Sequence, residues 1–212
     1  MIKAVVFDLD GTLTNTLQDI ADAMNYALAV FGLPAWKTDE YRYLVGDGAR
    51  MLARRAVRER TDLENAVLVT YQKQYETHSA VMTDAYPGTH ELLRALKERK
   101  IMTAVLSNKP DADTRRVVAH YFPEHTFDIV RGQTDDTPVK PAPDGALLTA
   151  RALGITPSEC AYIGDTSVDM TTAVRAGMKP FGALWGFRDA KELTDSGAGA
   201  LLKTPMDLIE YL

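Results

Sequence analysis

Apolar positions along this chain fall either in short continuous runs or in helical stripes, and where each kind lies predicts the architecture. The first run, Ala4-Val5-Val6-Phe7, is rich in β-branched residues and is stopped by Gly11 and Thr12, so it reads as an interior strand of a parallel sheet. A helical stripe follows. Leu17, Ile20, Ala21, Met24, Leu28 and Phe31 share one face after Asn15 or Thr16 as N-cap, and Gly32 and Pro34 end it. A second helical stretch starts after Thr38, breaks at Gly46-Asp47-Gly48, resumes from Ala49 to Arg60 and runs again from Leu63 to about His78. Residues 15–80 show no strand pattern and are too many for a crossover helix, so they read as a small helical bundle inserted after the first strand.

From Tyr86 the pattern alternates. Pro87-Gly88 is a turn, a helix runs from Thr89 through Lys97, and Met102 to Leu106 is a strand ending at Ser107-Asn108. Asp111 to Tyr121 reads as helix and Phe127 to Val130 as a short strand; a helix after Pro143 runs to Leu153, with Gly154 as its stop. Cys160 to Ile163 is a strand, followed by Gly164-Asp165 and a helix closed by Gly177. Lys179 to Leu184 is a further strand and Met206 to Leu212 a terminal helix. Strands alternating with helices predict an α/β fold: a doubly wound parallel sheet formed by residues 1–14 and 81–212, carrying the helical insertion 15–80.

That architecture gives the polar residues at strand ends a common address. Ligands bind open α/β sheets at the carboxyl edge of the strands, and strand side chains alternate, so Asp8 and Asp10, spaced by Leu9, lean to one side of that edge. Two carboxylates there repel unless a cation or a shared proton intervenes. Ser107-Asn108, Lys140, Asp165 and Asp169 recur at the ends of later strands or the starts of helices. Singly, these are turn residues, a solvated charge and helix-capping acids. Their joint convergence on the edge that carries Asp8 points to a site instead.

Composition narrows the classes. A chain of 212 residues that is 46% hydrophobic and 25% charged can bury a core, as one domain or slightly more. No apolar run approaches a membrane-spanning length, and Met1-Ile2-Lys3 leads directly into the first strand with no room for a signal peptide, so a cytoplasmic address and no membrane partner are expected. The net charge of -5 without a basic tract argues against a nucleic-acid surface. Cys160 is the single cysteine, which excludes internal disulfides and thiolate zinc sites, and it reads as core. His78, His90, His120 and His125 have no metal-ligand spacing.

Asp8-Leu9-Asp10-Gly11-Thr12, Ser107-Asn108, Lys140 and Gly164-Asp165-x-x-x-Asp169 resemble, in order, the four motifs of the haloacid dehalogenase-like (HAD) superfamily of phosphotransferases. The resemblance covers the whole chain, since a helical cap after the first motif is one of that superfamily's arrangements. Val45-Gly46-Asp47-Gly48-Ala49-Arg50, Tyr86-Pro87-Gly88 and Trp185-Gly186-Phe187 resemble its phosphoglycolate phosphatases. Asn15, where many relatives carry Asp, is a departure outside the motifs and touches only the hinge of the cap.

The resemblance implies a Rossmann-like HAD core and a Mg²⁺-dependent phosphatase acting on a small phosphorylated metabolite through an aspartyl-phosphate. Asp8 would be the nucleophile, and Asp10 the acid that protonates the leaving alkoxide and the base that activates water. Mg²⁺ would lie on the carboxylates of Asp8 and Asp165 and the backbone carbonyl of Asp10, with Asp169 either a ligand through water or the acceptor that orients Lys140. Ser107, Asn108, Lys140 and the loop Gly11-Thr12 would hold the phosphate. Gly46 to Arg50 is the candidate specificity loop, with Arg50 for an anionic end such as the carboxylate of 2-phosphoglycolate; the alternative is that Arg50, Arg54 and Arg55 are solvated helix charges. A sugar-phosphate phosphatase, a phosphomutase and a pyrophosphatase share the same core. A dehalogenase is disfavoured because Asp10 has no task with a halide leaving group, and a phosphonatase because neither Lys37 nor Lys73 is placed to form an imine. Outside these enzymes stand a phospho-accepting receiver domain and an inactive HAD binding module. Oligomeric state is left open.

Overall fold

A computed structural model of the protein describes residues 1–212. The chain begins with β1 (Ala4–Phe7), β2 (Thr14–Asn15), α1 (Leu17–Val30), α2 (Ala49–Ala56), α3 (Glu64–His78) and β3 (Asp84–Ala85). It continues through α4 (Thr89–Glu98), β4 (Met102–Pro110), α5 (Asp111–Tyr121), β5 (Ile129–Gln133), α6 (Asp144–Ala152), β6 (Cys160–Gly164), α7 (Ser167–Ala176), β7 (Lys179–Ala183), α8 (Ala190–Asp195) and β8 (Ala200–Leu202). Six strands form one parallel sheet in the order β5-β4-β1-β6-β7-β8, with β1 at its centre.

The two-residue alternation of β1 explains why every position in it is apolar. Val5 and Phe7 enter one core with Leu92 and Leu96 of α4 and Val117 of α5, while Ala4 and Val6 enter the other with Ala146 of α6 and Ala173 of α7. Register then builds the functional edge. Phe7 stands opposite Val105 of β4 on one side and Ile163 of β6 on the other, so these three residues share one level across the sheet. Asp8, Ser107 and Asp165 follow at that level.

Helices α1 to α3 bury their apolar faces in a third core, which includes Tyr41 and the stacked pair Tyr71 and Tyr75. Phe187, from the loop after β7, is the one member that comes from outside residues 15–80. The two connections to the sheet run side by side as the antiparallel ribbon of β2 with β3. Asp19 of α1 fastens them: its carboxylate accepts from the backbone N–H groups of Val81, Met82 and Thr83 and from the Thr83 hydroxyl at 2.7 Å. No helix is long and apolar enough to cross a membrane.

Several expected boundaries shift. The helix expected to reach Arg60 ends at Ala56, and Arg58 takes a positive φ of 54°, which a helix cannot hold. The terminal segment is a 3-10 helix over Pro205–Tyr211, started by a capping box between Thr204 and Asp207. Asn15, inside the stretch read as free of strands, pairs with Asp84 in the ribbon. The strand expected at Phe127 to Val130 lies at Ile129–Gln133, and β4 runs on past Leu106 to Pro110. Thr16 stands at the N-cap of α1 without a side-chain capping bond.

Replacing Asp19 by Ala strips four donors of a charged acceptor and should lower stability by about 1.5–3 kcal/mol, the usual worth of hydrogen bonds to a charged group. Denaturant unfolding of the purified variant measures this, and a loss below ~0.5 kcal/mol would show that the ribbon holds without it.

Candidate active site

Asp8, the first residue after β1, is buried, and its Oδ1 accepts from the Lys140 ammonium at 2.7 Å. Lys140 also donates to Asp169 Oδ1 at 2.7 Å and to the carbonyl of Leu106 at 3.1 Å, so one cation with three protons ties β1, β4 and α7 together. Asp169 sits in the first turn of α7, where its Oδ2 accepts from the backbone N–H and hydroxyl of Thr166 in a capping box. Asp165 has no cationic partner. Its Oδ1 accepts from the Thr12 hydroxyl at 2.9 Å and its Oδ2 from the Phe187 backbone N–H at 2.8 Å.

Oxygens of Asp8, Asp165 and Asp169 lie within 4.8 Å of one another, three buried carboxylates against one ammonium. Burial, reinforced by repulsion from Asp169, pushes the Asp8 carboxyl up to about 7, and Lys140 only partly opposes this. Burial with repulsion from Asp169 and Asp8 drives Asp165 well above the carboxylate range. Burial works against charge on Lys140, but Asp169 and Asp8 prevail and hold the ammonium well above the ordinary lysine value. The acids are packed closely on glycine backbone: a Cβ on Gly186 would fall 2.2 Å from Asp165 Cβ, and one on Gly164 would fall 2.2 Å from Asp169 Cβ.

Above the sheet edge lies a cavity of about 60 Å³. Asp8, Asp10, Ser107 and Lys109 form its floor, and Val45, Leu52, Tyr71 and Tyr75 reach it from the helical segment. Ser107 accepts from the Lys109 backbone N–H and keeps its own hydroxyl proton free. Asn108 has every side-chain group engaged: Oδ1 accepts from the Lys140 backbone N–H, and Nδ2 donates to the carbonyls of Lys140 and Gly46. It is a strut between the sheet, the Lys140 loop and the helical segment.

Gly11, Thr12, Arg50 and Asp10 each have partners of their own. Gly11 and Thr12, expected on the phosphate, pack on Asp165 instead, because the turn after Asp10 takes a φ of 90° at Gly11 and folds back over that acid. Arg50, expected in the cavity, has a side chain 68% exposed and faces Glu64 at 3.7 Å. Position two of α2 points it outward. The Asp10 side chain stands apart from the cluster of three acids and is engaged by Lys109, whose Nζ lies 2.9 Å from each Asp10 oxygen.

Lys109 is the residue that motif reading passed over. Its side chain is only 7% exposed, and it donates as well to the Tyr75 hydroxyl at 2.9 Å, beneath the Tyr75 ring. Burial opposes its charge, and Asp10 outweighs that and raises its pKa. Its position directly after Ser107-Asn108, inside a strand-exit polar run, was a usable signal. Tyr75, by contrast, looks like core on an apolar helix face.

Two arginines bridge the helical segment and the sheet domain. Arg42 donates to the Gly186 carbonyl at 3.0 Å, and Arg188 donates to the Val45 carbonyl at 3.1 Å. The Gly186–Phe187 peptide therefore accepts from Arg42 through its carbonyl and donates to Asp165 through its N–H.

The family model of the haloacid dehalogenase-like hydrolases matches residues 2–177. The chain is 29% identical to a phosphoglycolate phosphatase of Aquifex aeolicus over 100% of its length and 97% of that protein's. It is 32% identical to a phosphoglycolate phosphatase of Cereibacter sphaeroides, over 84% of this chain and 83% of the other. The crystal structure of a predicted phosphoglycolate phosphatase from Haemophilus somnus superposes with a TM-score of 0.92 at 26% identity, covering 99% of this chain and 97% of that one. With its acids and its buried lysine gathered at the exit of β1 and the family pattern running through most of its length, the chain belongs to the haloacid dehalogenase-like hydrolases.

Proposed function

We propose that this protein hydrolyses a small phosphate monoester, with 2-phosphoglycolate as the leading substrate, through a phosphorylated Asp8. The observation that carries the reading is the pairing of two acids with separate partners at one strand exit: Asp8 held by Lys140, and Asp10 held by Lys109 on the floor of the same cavity. Separate partners suit separate tasks. Asp8, fixed from one side by an ammonium that also offsets the incoming negative charge, attacks phosphorus as a carboxylate. Asp10 protonates the departing alkoxide and later takes a proton from the water that cleaves the acyl phosphate. The free Ser107 hydroxyl donates to a phosphate oxygen, and the Lys140 ammonium, with its protons on Asp8, Asp169 and the Leu106 carbonyl, offsets the charge that spreads over the phosphate.

The donor set fits a hard divalent cation such as Mg²⁺. Asp8, Asp165 and Asp169 offer buried carboxylate oxygens with no nitrogen or sulfur ligand among them, and Asp165 has no other cation to balance it. Asp8 and Asp165 would hold the ion, with the Asp10 carbonyl, while Asp169 stays on Lys140. When bound, the ion supplies positive charge at the phosphoryl group. The Thr12 hydroxyl and the Phe187 N–H keep Asp165 turned toward that position.

Residues 15–80 act as a cap that closes over the site and sets the size of the substrate. A short phosphorylated acid is the substrate class taken for it. The names carried by the relatives from Aquifex aeolicus and Cereibacter sphaeroides agree with this choice.

Asp8→Asn should abolish hydrolysis of 2-phosphoglycolate while circular dichroism and thermal melting still report a folded chain. Turnover within about ten-fold of the parent, ~1.4 kcal/mol of barrier, overturns the nucleophile.

The Asp8 shift gives a pH prediction. Its carboxyl, near 3.8 in the free chain and about 7 in the cation-free fold, takes up a proton on folding between those values. The stability it contributes is therefore present at low pH and is lost as pH rises toward about 7. A cation needs the carboxylate, so Mg²⁺ binding at pH 6 should release protons, and the Mg²⁺-induced rise in Tm should be larger at pH 7.5 than at pH 5.5. Calorimetry in two buffers of different ionisation enthalpy measures the proton count; zero release counts against Asp8 as a ligand.

Asp10→Asn separates the two acids. Acetyl phosphate has a leaving group that needs no proton, so the variant should still become phosphorylated on Asp8 and should then hold the label, for want of a base. With 2-phosphoglycolate the first step itself should fail. Quench-flow with radiolabelled donors reads both, and parental rates on both donors would remove Asp10 from the mechanism.

A further inference from the structure

Lys109 is the one lysine or arginine on the cavity wall, since Arg50 is turned out toward Glu64. An ammonium carries three protons, and here all are taken: both Asp10 oxygens and the Tyr75 hydroxyl stand 2.9 Å from Nζ. Tyr75 accepts from Lys109 and its own proton finds no acceptor. Gln72, one turn before it on α3, also faces the cavity with its amide unbonded. The remaining carboxylate on the wall, Asp113, is matched by Arg116 at 2.7 Å. The wall thus presents one cation and an unused hydroxyl proton side by side, a set that suits an anionic oxygen pair.

We propose that Lys109 determines specificity for the leaving group: it holds Asp10 while the cavity is empty and shifts to a carboxylate on the leaving alcohol, to which Tyr75 also donates. This rests on the phosphatase reading above and names the chemical class of its substrate, a short phosphorylated carboxylic acid. An ammonium with every proton engaged can take a new anion only by releasing an old one. Binding a carboxylate therefore loosens Asp10. A neutral leaving group offers no anion to Lys109 and leaves the Lys109–Asp10 pair intact. Tyr75 comes from the helical segment and Lys109 from β4, so the donor pair exists only when the two parts of the molecule are together.

The test compares 2-phosphoglycolate with 2-hydroxyethyl phosphate, which have the same heavy-atom chain length and differ in the carboxylate. Selectivity is the ratio of their kcat/KM values. The parent should favour the carboxylate by about thirty-fold or more, as a site built around polar contacts does. Lys109→Met keeps the aliphatic stem beneath Tyr75 and should bring the ratio below about three, with the loss for 2-phosphoglycolate divided between a higher KM and a lower kcat. Lys109→Arg should recover part of the preference, and Tyr75→Phe should reduce it by a smaller factor in the same direction. A Lys109→Met ratio within two-fold of the parent overturns the inference; if that variant does not fold, an unchanged ratio in Tyr75→Phe does so. A parent that hydrolyses both esters equally also overturns it and leaves the phosphatase reading standing. A parent that hydrolyses no phosphate ester in the presence of Mg²⁺ removes both.

Discussion

The bond between Lys140 and its two acids is the constraint around which this molecule is built. Asp8, Asp165 and Asp169 are buried with oxygens within 4.8 Å, an arrangement that like-charge repulsion and desolvation both oppose. One ammonium at 2.7 Å from Asp8 and from Asp169 makes it tolerable. Its backbone is fixed in turn by Asn108, which both donates to and accepts from the Lys140 main chain. Asp165 is left with dipoles and no cation for partners. Three buried carboxyl groups around one ammonium form an oxygen donor set that suits a hard cation.

A second constraint joins the site to the helical segment. The Gly186–Phe187 peptide takes a hydrogen bond from Arg42 on one side and gives one to Asp165 on the other, while the Phe187 ring lies in the core of α1 to α3. Asn108 reaches the Gly46 carbonyl, and Lys109 reaches Tyr75. Asp165, through that peptide, Asn108 and Lys109 thus each have a tie to the segment above the sheet. The β2–β3 ribbon, which Asp19 fastens, is the covalent connection of that segment to the sheet, so a displacement about it would break those ties together.

The fold was legible wherever burial on both faces left a continuous apolar run. Ala4 to Phe7, Met102 to Leu106 and Cys160 to Ile163 lie in β1, β4 and β6, and the helical stripe from Leu17 to Leu28 became α1. Short elements at the sheet edge escaped, because α8 and β8 hold too few residues for a period to register. The β2–β3 ribbon escaped for another reason. Its partners are about seventy positions apart, and nothing local marks a two-residue strand. In the site, Asp8, Asp10, Lys140, Asp165 and Asp169 were readable from strand ends and spacing. The roles of Thr12, Arg50 and Lys109 were not, since each depends on where a side chain turns.

What the sequence by itself determined is therefore the set of strand exits and the acids placed on them: a period of two along β1 puts Asp8 and Asp10 at the edge whatever surrounds them. What only the tertiary structure decided is the pairing, with Lys140 on Asp8 and Asp169, Lys109 on Asp10 and Tyr75, Thr12 on Asp165, and Arg50 on Glu64. The physical reason is range. Hydrogen-bonding and hydrophobic periodicity act between near neighbours and are written in local order, whereas the partner of a buried charge is whichever opposite charge the packing brings within about 3 Å, here from 29 to 132 positions away for Lys140 alone.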